Sequence, residues 1–134
     1  MTPLPLAAVV IVDDEIDHAI IMGRVLAEVA PGVEVLVMTD PANIEARLRD
    51  VPIGALVLID RKLGRDDSIA MIAPLLAARA DLGVVLLSSA LIPADHERAL
   101  AAGAIVAAEK PGSLAGWRAL LRELLALHSA RPAA

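Results

Sequence analysis

Five short runs of apolar residues, separated by longer segments with helical periodicity, constrain the fold of this chain more than any other feature. The runs cover residues 7–12, 33–38, 54–59, 83–88 and 104–108. Three of them are almost continuously apolar, which is typical of strands that are covered on both faces. The other segments have the length and apolar spacing of helices. They are residues 15–30, 41–50, 67–79, 93–102 and 113–128.

This strict alternation predicts the topology as well as the elements. Because a strand–helix–strand crossover is right-handed, consecutive strands lie parallel and the helices cover both faces of the sheet. We therefore expect an α/β fold of the (βα)5 type, with a doubly wound, five-stranded parallel sheet. One domain is expected over residues 1–128, followed by a disordered C-terminal tail at residues 129–134.

Composition excludes several classes of function. Hydrophobic residues make up 57% of the chain, but no apolar run reaches the roughly 18 residues of a membrane span. There is no cysteine, so disulfides and thiolate metal sites are excluded. The net charge of −5, with Trp117 as the only Phe, Tyr or Trp, argues against nucleic-acid binding. The N-terminus lacks the basic region of a signal peptide, so we expect a cytoplasmic protein without a membrane partner.

Polar residues follow four of the predicted strands, at the sheet edge where such folds bind ligands. Asp13 and Asp14 follow the first strand, and Asp60 follows the third. Ser88 ends the fourth strand and Lys110 follows the fifth. Three converging carboxylates repel one another unless a cation or a proton neutralises them, and oxygen ligands suit Mg²⁺. The first strand–helix turn has no glycine fingerprint, which argues against a dinucleotide.

Each of these residues also has a purely structural explanation. An aspartate such as Asp14 at a strand-to-helix turn commonly caps the helix. Ser88 alone is explained as a hydroxyl at a strand end, and Lys110 alone as a solvated surface lysine. The functional interpretation depends on the joint pattern of acid pair, acid, hydroxyl and lysine in that order.

In this arrangement the chain resembles the receiver domain of two-component response regulators. The resemblance runs from VVIVDDE through LVLIDRKL and VVLLSSA to AAGA and EKPG, and so covers essentially the whole chain. It implies the strand order 2-1-3-4-5. It also implies that Asp60 accepts a phosphoryl group from a histidine kinase or a histidine phosphotransfer protein, and that Ser88 and Lys110 contact the phosphoryl oxygens. The implied Mg²⁺ ligands are Asp13, Asp14, Asp60 and the backbone carbonyl of Lys62.

Further expectations follow from the resemblance. The Lys110–Pro111 peptide bond is expected to be cis. The chain is expected to be a signalling phosphoacceptor and not an enzyme, with slow self-dephosphorylation at most. A DNA-binding output domain has no room after residue 128, so output is expected through protein contacts or a phosphorelay unless the chain is excised from a longer protein. A homodimer through the fourth helix, the fifth strand and the fifth helix is a further expected partner.

The sequence departs from this family at positions that couple phosphorylation to output. Ala107 replaces the usual aromatic residue or histidine three residues before the lysine, and the usual KPF is KPG. Gly64 stands where a proline is usual, and Asp67-Ser68 where Asp-Gly is usual. These changes keep open a phosphorylation-independent pseudo-receiver that acts as a binding or dimerisation scaffold. A small Mg²⁺-dependent phosphatase is disfavoured, because Lys62 stands where such enzymes have a second aspartate.

Two cations and three histidines complete the set of candidate residues. The Lys62 side chain either reaches the site and alters the lifetime of the phosphorylated state, or it points to solvent. Arg61 is expected to be a solvated loop charge. His18, His96 and His128 are expected to lie in solvent on polar helix faces, without forming a metal site.

Overall fold

The central sheet has the predicted topology. The computed structural model describes residues 6–131. The strands are β1 (Ala8–Val12), β2 (Glu34–Met38), β3 (Leu56–Asp60), β4 (Lys62–Leu63), β5 (Asp66–Asp67), β6 (Gly83–Ser88) and β7 (Val106–Glu109). The helices are α1 (Ile16–Val29), α2 (Ile44–Leu48), α3 (Ile69–Ala78), α4 (Pro93–Ala101) and α5 (Leu114–Ser129). Five strands form a parallel sheet in the order β2-β1-β3-β6-β7, and β4 and β5 form a separate hairpin. The expected order 2-1-3-4-5 is therefore confirmed, with β6 and β7 as the fourth and fifth sheet strands.

Alternate residues of the central strands pack into two separate cores. Val10 and Val57 belong to a core that also contains buried residues of α2, α3 and α4. Val9 and Leu56 belong to a core that contains α1 and α5. The strands β1, β3 and β6 are buried along their whole length. Burial on both faces explains why these runs lack the polar–apolar alternation of a half-exposed strand.

The hairpin of β4 and β5 was not predicted. Lys62 pairs with Asp67, and Leu63 pairs with Asp66. Gly64 lies in the connecting turn with φ of 61°, a left-handed conformation that costs glycine little. With two residues in each strand, the segment is too short to show the period of a strand in the sequence.

Helix α2 is shorter than the predicted helix over residues 41–50. Asp40 uses its Oδ1 to accept a hydrogen bond from the backbone N–H of Ala42 at 2.9 Å, so this residue closes a turn instead of capping the helix. Asn43 then adopts a left-handed conformation with φ of 58° just before the helix begins at Ile44. Asparagine tolerates this conformation better than most residues, which explains its place there.

A hydrogen-bonding contact joins helix α5 to the edge of the sheet opposite the expected site. His128 is completely buried, and its Nε2 lies 2.8 Å from the backbone carbonyl oxygen of Gly54. The expectation that His128 lies in solvent is therefore wrong. Burial lowers the pKa of His128, the hydrogen bond to Gly54 opposes this effect, and the charge of Arg131 adds to it.

The termini delimit what is described. Residues 1–5 of the predicted domain and residues 132–134 of the expected tail lie outside the described residues. Among residues 6–131, no helix combines the length and the apolar character needed to cross a membrane.

Candidate functional site

Three carboxylates meet at the carboxyl ends of β1 and β3. Asp13 and Asp60 are 1% and 8% exposed, and Asp14 lies beside them. One oxygen from each of the three lies within 4.8 Å of the other two. Burial and the nearby charge of Asp13 raise the pKa of Asp60. The fold therefore holds negative charges together at a position where they repel one another.

This donor set fits a hard divalent cation. It consists of carboxylate oxygens only, one from each of three acids within 4.8 Å of one another, and hard cations such as Mg²⁺ prefer oxygen ligands. The acidic cluster of Asp13, Asp14 and Asp60 could therefore hold a metal ion.

Lys110 partly neutralises the acidic cluster from the end of β7. Its Nζ lies 2.7 Å from Asp13 Oδ2 and 3.2 Å from Asp60 Oδ1, and its side chain is only 3% exposed. Burial alone would lower the pKa of Lys110, but the hydrogen bond to Asp13 and the charges of Asp13 and Asp60 outweigh burial and raise it. Lys110 is therefore a charged group inside the site and not a solvated surface lysine. The Lys110–Pro111 peptide bond is trans, so the expectation of a cis bond is wrong.

Backbone N–H groups orient the two neighbouring acids of the first turn. Asp13 Oδ1 accepts a hydrogen bond from the N–H of Glu15 at 2.9 Å. Asp14 Oδ2 accepts one from the N–H of Gly64 at 2.8 Å. Because proline has no N–H, the residue usual in the family at position 64 would not make this second bond. Gly64 thus connects the hairpin to the acidic cluster.

Ser88 and Lys62 lie at the mouth of the site. An open cleft of about 360 Å³ is lined by Asp14, Asp60, Lys62 and Ser88, among others. Ser88 is 6% exposed, and its Oγ accepts a hydrogen bond from the N–H of Ala90 at 3.3 Å. Lys62 is exposed, and Asp60 pairs with Lys110 instead of Lys62. The structure thus brings all the predicted site residues to one edge of the sheet.

Sequence reasoning missed one residue that fixes the backbone of Asp60. Ser68 is completely buried, and its Oγ donates a hydrogen bond of 2.6 Å to the backbone carbonyl of Asp60. Its N–H donates to the carbonyl of Arg61 at 2.9 Å. The signal was the departure from Asp-Gly to Asp67-Ser68, but only the path of the hairpin shows that this hydroxyl faces Asp60.

Arg61 is not the solvated loop charge that the sequence suggested. Its side chain is 24% exposed, and its Nε lies 2.7 Å from Oδ2 of Asp95 on α4. The N–H is not aimed at that oxygen, so this contact is an ion pair without a well-directed hydrogen bond. Arg98 extends the pair, because its guanidinium lies 3.5 Å from Asp95 and 3.2 Å from Asp67. The residue after Asp60 is thus linked electrostatically to α4.

His18 is the other residue whose surroundings the sequence did not reveal. Its side chain is 28% exposed, and its Nδ1 lies 3.0 Å from Lys110 Nζ. It was expected in solvent, but it borders the acidic cluster. No pattern in the sequence distinguishes it from an ordinary surface histidine of α1.

Comparison with solved structures gives the same fold. The signal receiver domain of a DNA-binding response regulator from Colwellia psychrerythraea 34H superposes with a TM-score of 0.76 at 19% identity, over 90% of this chain and 98% of that one. The CheY-like receiver domain protein of Methanospirillum hungatei JF-1 gives 0.75 at 19% identity, over 92% and 97%. The fold is that of a response regulator receiver domain. A scan against protein-family models found no match, and neither did a search of curated proteins.

A third solved structure with the receiver fold contains a phosphorylated residue and a metal ion. It is a response regulator from Burkholderia pseudomallei with a phosphorylated aspartic acid, a calcium ion and citrate, with a TM-score of 0.72 and 22% identity. The match covers 90% of this chain and 71% of that one. At such identities the likeness concerns the receiver fold alone.

Ala107, which replaces the aromatic residue or histidine usual at this position, is packed in the protein core. Ala107 on β7 is 5% exposed and belongs to the core beneath α4, together with Ala99 and Ala104. An alanine has no side-chain rotamers, so an aromatic rotation at this position is absent from this chain.

Proposed function

We propose that this chain is a phosphoacceptor module that receives a phosphoryl group on Asp60 from a phosphohistidine of a partner kinase or phosphotransfer protein. The observation that carries the proposal is the position of Asp60. Its carboxylate ends the central strand, shares a cleft with Ser88, and is 3.2 Å from the ammonium of Lys110. A buried acid with a raised pKa, a paired cation and an open cleft are typical of functional sites.

The proposed reaction is a displacement at phosphorus. An Asp60 carboxylate oxygen attacks the phosphorus and forms an acyl phosphate, while the P–N bond to the donor histidine breaks. The bonding electrons return to the donor imidazole, which takes up a proton from solvent. Such a transfer requires mainly positioning and charge stabilisation from the protein. Lys110 provides a fixed positive charge on one side of Asp60. The Ser88 hydroxyl, at the end of β6, is available to an oxygen of the transferred group.

The proposed function includes a metal ion bound by the acidic cluster. Asp13, Asp14, Asp60 and the backbone carbonyl of Lys62 are the proposed ligands, and Mg²⁺ is the proposed ion. Mg²⁺ would supply positive charge beside the oxygens of the transferred phosphoryl group. The buried Asp13, the hydrogen-bonded Asp14 and the raised pKa of Asp60 support such a site, because a cation offsets the repulsion among the three charges.

Acetyl phosphate tests the proposal without a partner kinase. With Mg²⁺ present, mass spectrometry is expected to show one added phosphoryl group on Asp60, and Asp60→Asn is expected to show none. A chelator is expected to stop the labelling in the natural sequence. The absence of labelling at any concentration of Mg²⁺ and acetyl phosphate contradicts the proposal. Continuous release of phosphate from simple phosphoesters would instead indicate a phosphatase.

The scaffold hypothesis remains the second candidate because of Ala107. Without an aromatic side chain at this position, a common route from phosphorylation to output is missing. The scaffold hypothesis predicts that Asp60→Asn binds the physiological partner as tightly as the natural sequence does. The phosphoacceptor proposal predicts that beryllofluoride with Mg²⁺ changes the affinity for that partner, and that Asp60→Asn abolishes the change.

The proposed output surface comprises α4, β7 and α5. Exposed apolar side chains lie at and within α4, with Ile92 53% and Leu100 42% exposed. Output through protein contact or a phosphorelay, with a homodimer as one form, fits this surface. One solved structure of the receiver fold is a beryllofluoride-activated dimer of the NtrC4 receiver domain. Sedimentation of this chain with and without beryllofluoride tests whether dimerisation depends on occupancy of the site.

The Lys62 side chain is proposed to act on the lifetime of the phosphorylated state. It is exposed and lines the cleft, where its attraction for phosphoryl oxygens or for the dipole of an approaching water is weak. Lys62→Ala is expected to change the half-life of phosphorylated Asp60 by about twofold to fourfold, which corresponds to less than about 1 kcal/mol. An unchanged half-life would assign Lys62 a role through its backbone only.

A further inference from the structure

Lys110 has one more neighbour than the proposed phosphoryl chemistry uses. Its ammonium group carries three N–H donors. Two neighbours are Asp13 Oδ2 at 2.7 Å and Asp60 Oδ1 at 3.2 Å, and the third is His18 Nδ1 at 3.0 Å. The Lys110 side chain is 3% exposed, so an N–H without a protein acceptor would find little water. The ammonium is therefore surrounded by hydrogen bonds to Asp13 and His18 and by the ion pair with Asp60.

The imidazole of His18 is held from two sides. Its ring lies against Trp117 of α5, with ring centroids 6.4 Å apart and planes inclined by 52°. Glu15 Oε2 also lies 3.0 Å from Nδ1. One ring nitrogen cannot accept a hydrogen bond from Lys110 and donate one to Glu15 at the same time. The Glu15 side chain is 56% exposed, so water can satisfy it, and the lone pair of Nδ1 is assigned to the buried Lys110.

We infer that His18 is a positioning residue, whose Nδ1 accepts a hydrogen bond from Lys110 and holds the ammonium beside Asp60. The inference rests on the proposed function, because the position of this ammonium affects a rate only if Asp60 reacts. A cation that is already in place needs no reorganisation when negative charge develops on the transferred group. The contact with Trp117 fixes the ring, and His18 therefore connects the site to the packing of α1 on α5.

Two substitutions of nearly equal shape isolate the hydrogen bond. In His18→Asn, the side-chain oxygen occupies about the place of Nδ1 and accepts from Lys110. In His18→Leu, the side chain is similar in size but has no acceptor. Both variants lose the ring contact with Trp117, so this loss cancels in the comparison. Glu15→Gln is the control for the other neighbour of Nδ1. Thermal unfolding of all three variants checks that they fold.

The first measurement is the rate at which acetyl phosphate and Mg²⁺ label Asp60. His18→Leu is expected to react about threefold to tenfold more slowly than the natural sequence, the effect of losing part of one hydrogen bond to a charged group. His18→Asn and Glu15→Gln are expected to remain within about twofold of the natural rate. Equal rates for Leu and Asn at position 18 would overturn the inference, as would a slow Glu15→Gln.

The second measurement does not depend on phosphorylation. The chain contains two lysines, Lys62 and Lys110, so labelling lysine with ¹⁵N gives two side-chain signals in NMR spectra. Lys62 is exposed, and the protected ammonium signal therefore belongs to Lys110. Exchange of these ammonium protons with water is expected to be several-fold faster in His18→Leu than in His18→Asn.

The two measurements separate the inference from the proposed function. Suppose that ammonium exchange is faster in His18→Leu but acetyl phosphate does not label Asp60 in the natural sequence. The hydrogen bond between His18 and Lys110 would then be upheld. The phosphoacceptor proposal would be contradicted, and with it the kinetic role of His18. Normal labelling with identical exchange in both variants would overturn the inference alone.

Discussion

Lys110 and Asp13 form a buried salt bridge of 2.7 Å between residues 97 positions apart in the chain, with side chains 3% and 1% exposed. It connects the end of the last sheet strand with the end of the first, across β3 and β6. Removing one partner of a buried pair leaves the other charge uncompensated, which is strongly destabilising. The loss of either partner alone is therefore expected to destabilise the fold.

Lys110→Met is expected to lower the free energy of unfolding by about 3 kcal/mol in the presence of a chelator. Methionine keeps the length of the side chain but leaves Asp13 and Asp60 without their cation. Mg²⁺ is expected to recover part of the loss, because an ion that binds only the folded state stabilises it. Urea unfolding with EDTA and with Mg²⁺ measures both effects.

Lys62→Met is the matched control, since it removes the other lysine of the chain from an exposed position. It is expected to change the stability by less than about 1 kcal/mol. Equal unfolding curves for the two lysine variants would show that the buried pair contributes nothing measurable.

Asp60→Asn is expected to stabilise the metal-free protein at neutral pH. Burial and Asp13 raise the pKa of Asp60 above its unfolded value, so the folded state binds this proton more tightly. The free energy of unfolding of the natural sequence therefore falls as pH rises from about 4 through the folded pKa of Asp60. Asparagine does not titrate, so the variant does not lose this stability. A gain of about 1 kcal/mol corresponds to about 3–5 °C in Tm.

Calorimetry in a chelator at pH 7.5 and pH 4 tests this expectation. The difference in Tm between the variant and the natural sequence should shrink at the lower pH, because the unfolded carboxyl is then about half protonated and the folded one, with its raised pKa, is protonated to a greater extent. A variant that melts earlier than the natural sequence at pH 7.5 would contradict the proposed electrostatic conflict.

The parts of the fold and site that the sequence predicted are those with a local signal. Residues buried on both faces must be apolar, so β3 and its neighbours appear as unbroken runs. Asp60, Asp13 and Lys110 stand directly at strand ends, and parallel strands bring such ends to one edge. Their placement follows from the topology, without knowledge of any side-chain contact.

The parts that were missed depend on contacts between distant segments. His18 lies near Lys110 because α1 packs on α5, and Gly64 reaches Asp14 because a short hairpin folds over the cleft. Besides Ser68, one further miss had a signal in the sequence. His128 follows Leu124 by four residues on the apolar stripe of α5, which places it on the buried face.

Arg61 and Asp95 are expected to be energetically coupled. Asp95 is 4% exposed, and its carboxylate lies 2.7 Å from Arg61 Nε. Because Arg61 follows the proposed acceptor and Asp95 belongs to α4, this pair is a physical connection between the site and the proposed output surface. A double-mutant cycle with Arg61→Met and Asp95→Asn, read by urea unfolding, is expected to give a coupling energy of about 2 kcal/mol.

Arg98→Met is the control for this cycle, because Arg98 contacts the same carboxylate at 3.5 Å from a side chain that is 51% exposed. Its coupling to Asp95 is expected to stay below about 1 kcal/mol. Additive effects of the Arg61 and Asp95 substitutions would disprove the connection.

His128→Gln is expected to remove a pH dependence of stability. Burial lowers the pKa of His128 in the folded state, so the unfolded state binds more protons below about pH 6.5. The contribution of neutral His128 is fully present above that pH and is lost as pH falls. Glutamine can still donate to the carbonyl oxygen of Gly54 but does not titrate. Between pH 7.5 and 5.5, the natural sequence should lose about 1 kcal/mol more stability than the variant.

Urea unfolding in a chelator at the two pH values measures this difference, with His96→Gln as the control. His96 is partly exposed on α4, so its removal should leave the pH dependence in place. Parallel stability curves for the natural sequence and His128→Gln would mean that the buried ring accepts a proton without cost. Because His128 lies at the opposite edge of the sheet from Asp60, His128→Gln should also label with acetyl phosphate at the natural rate.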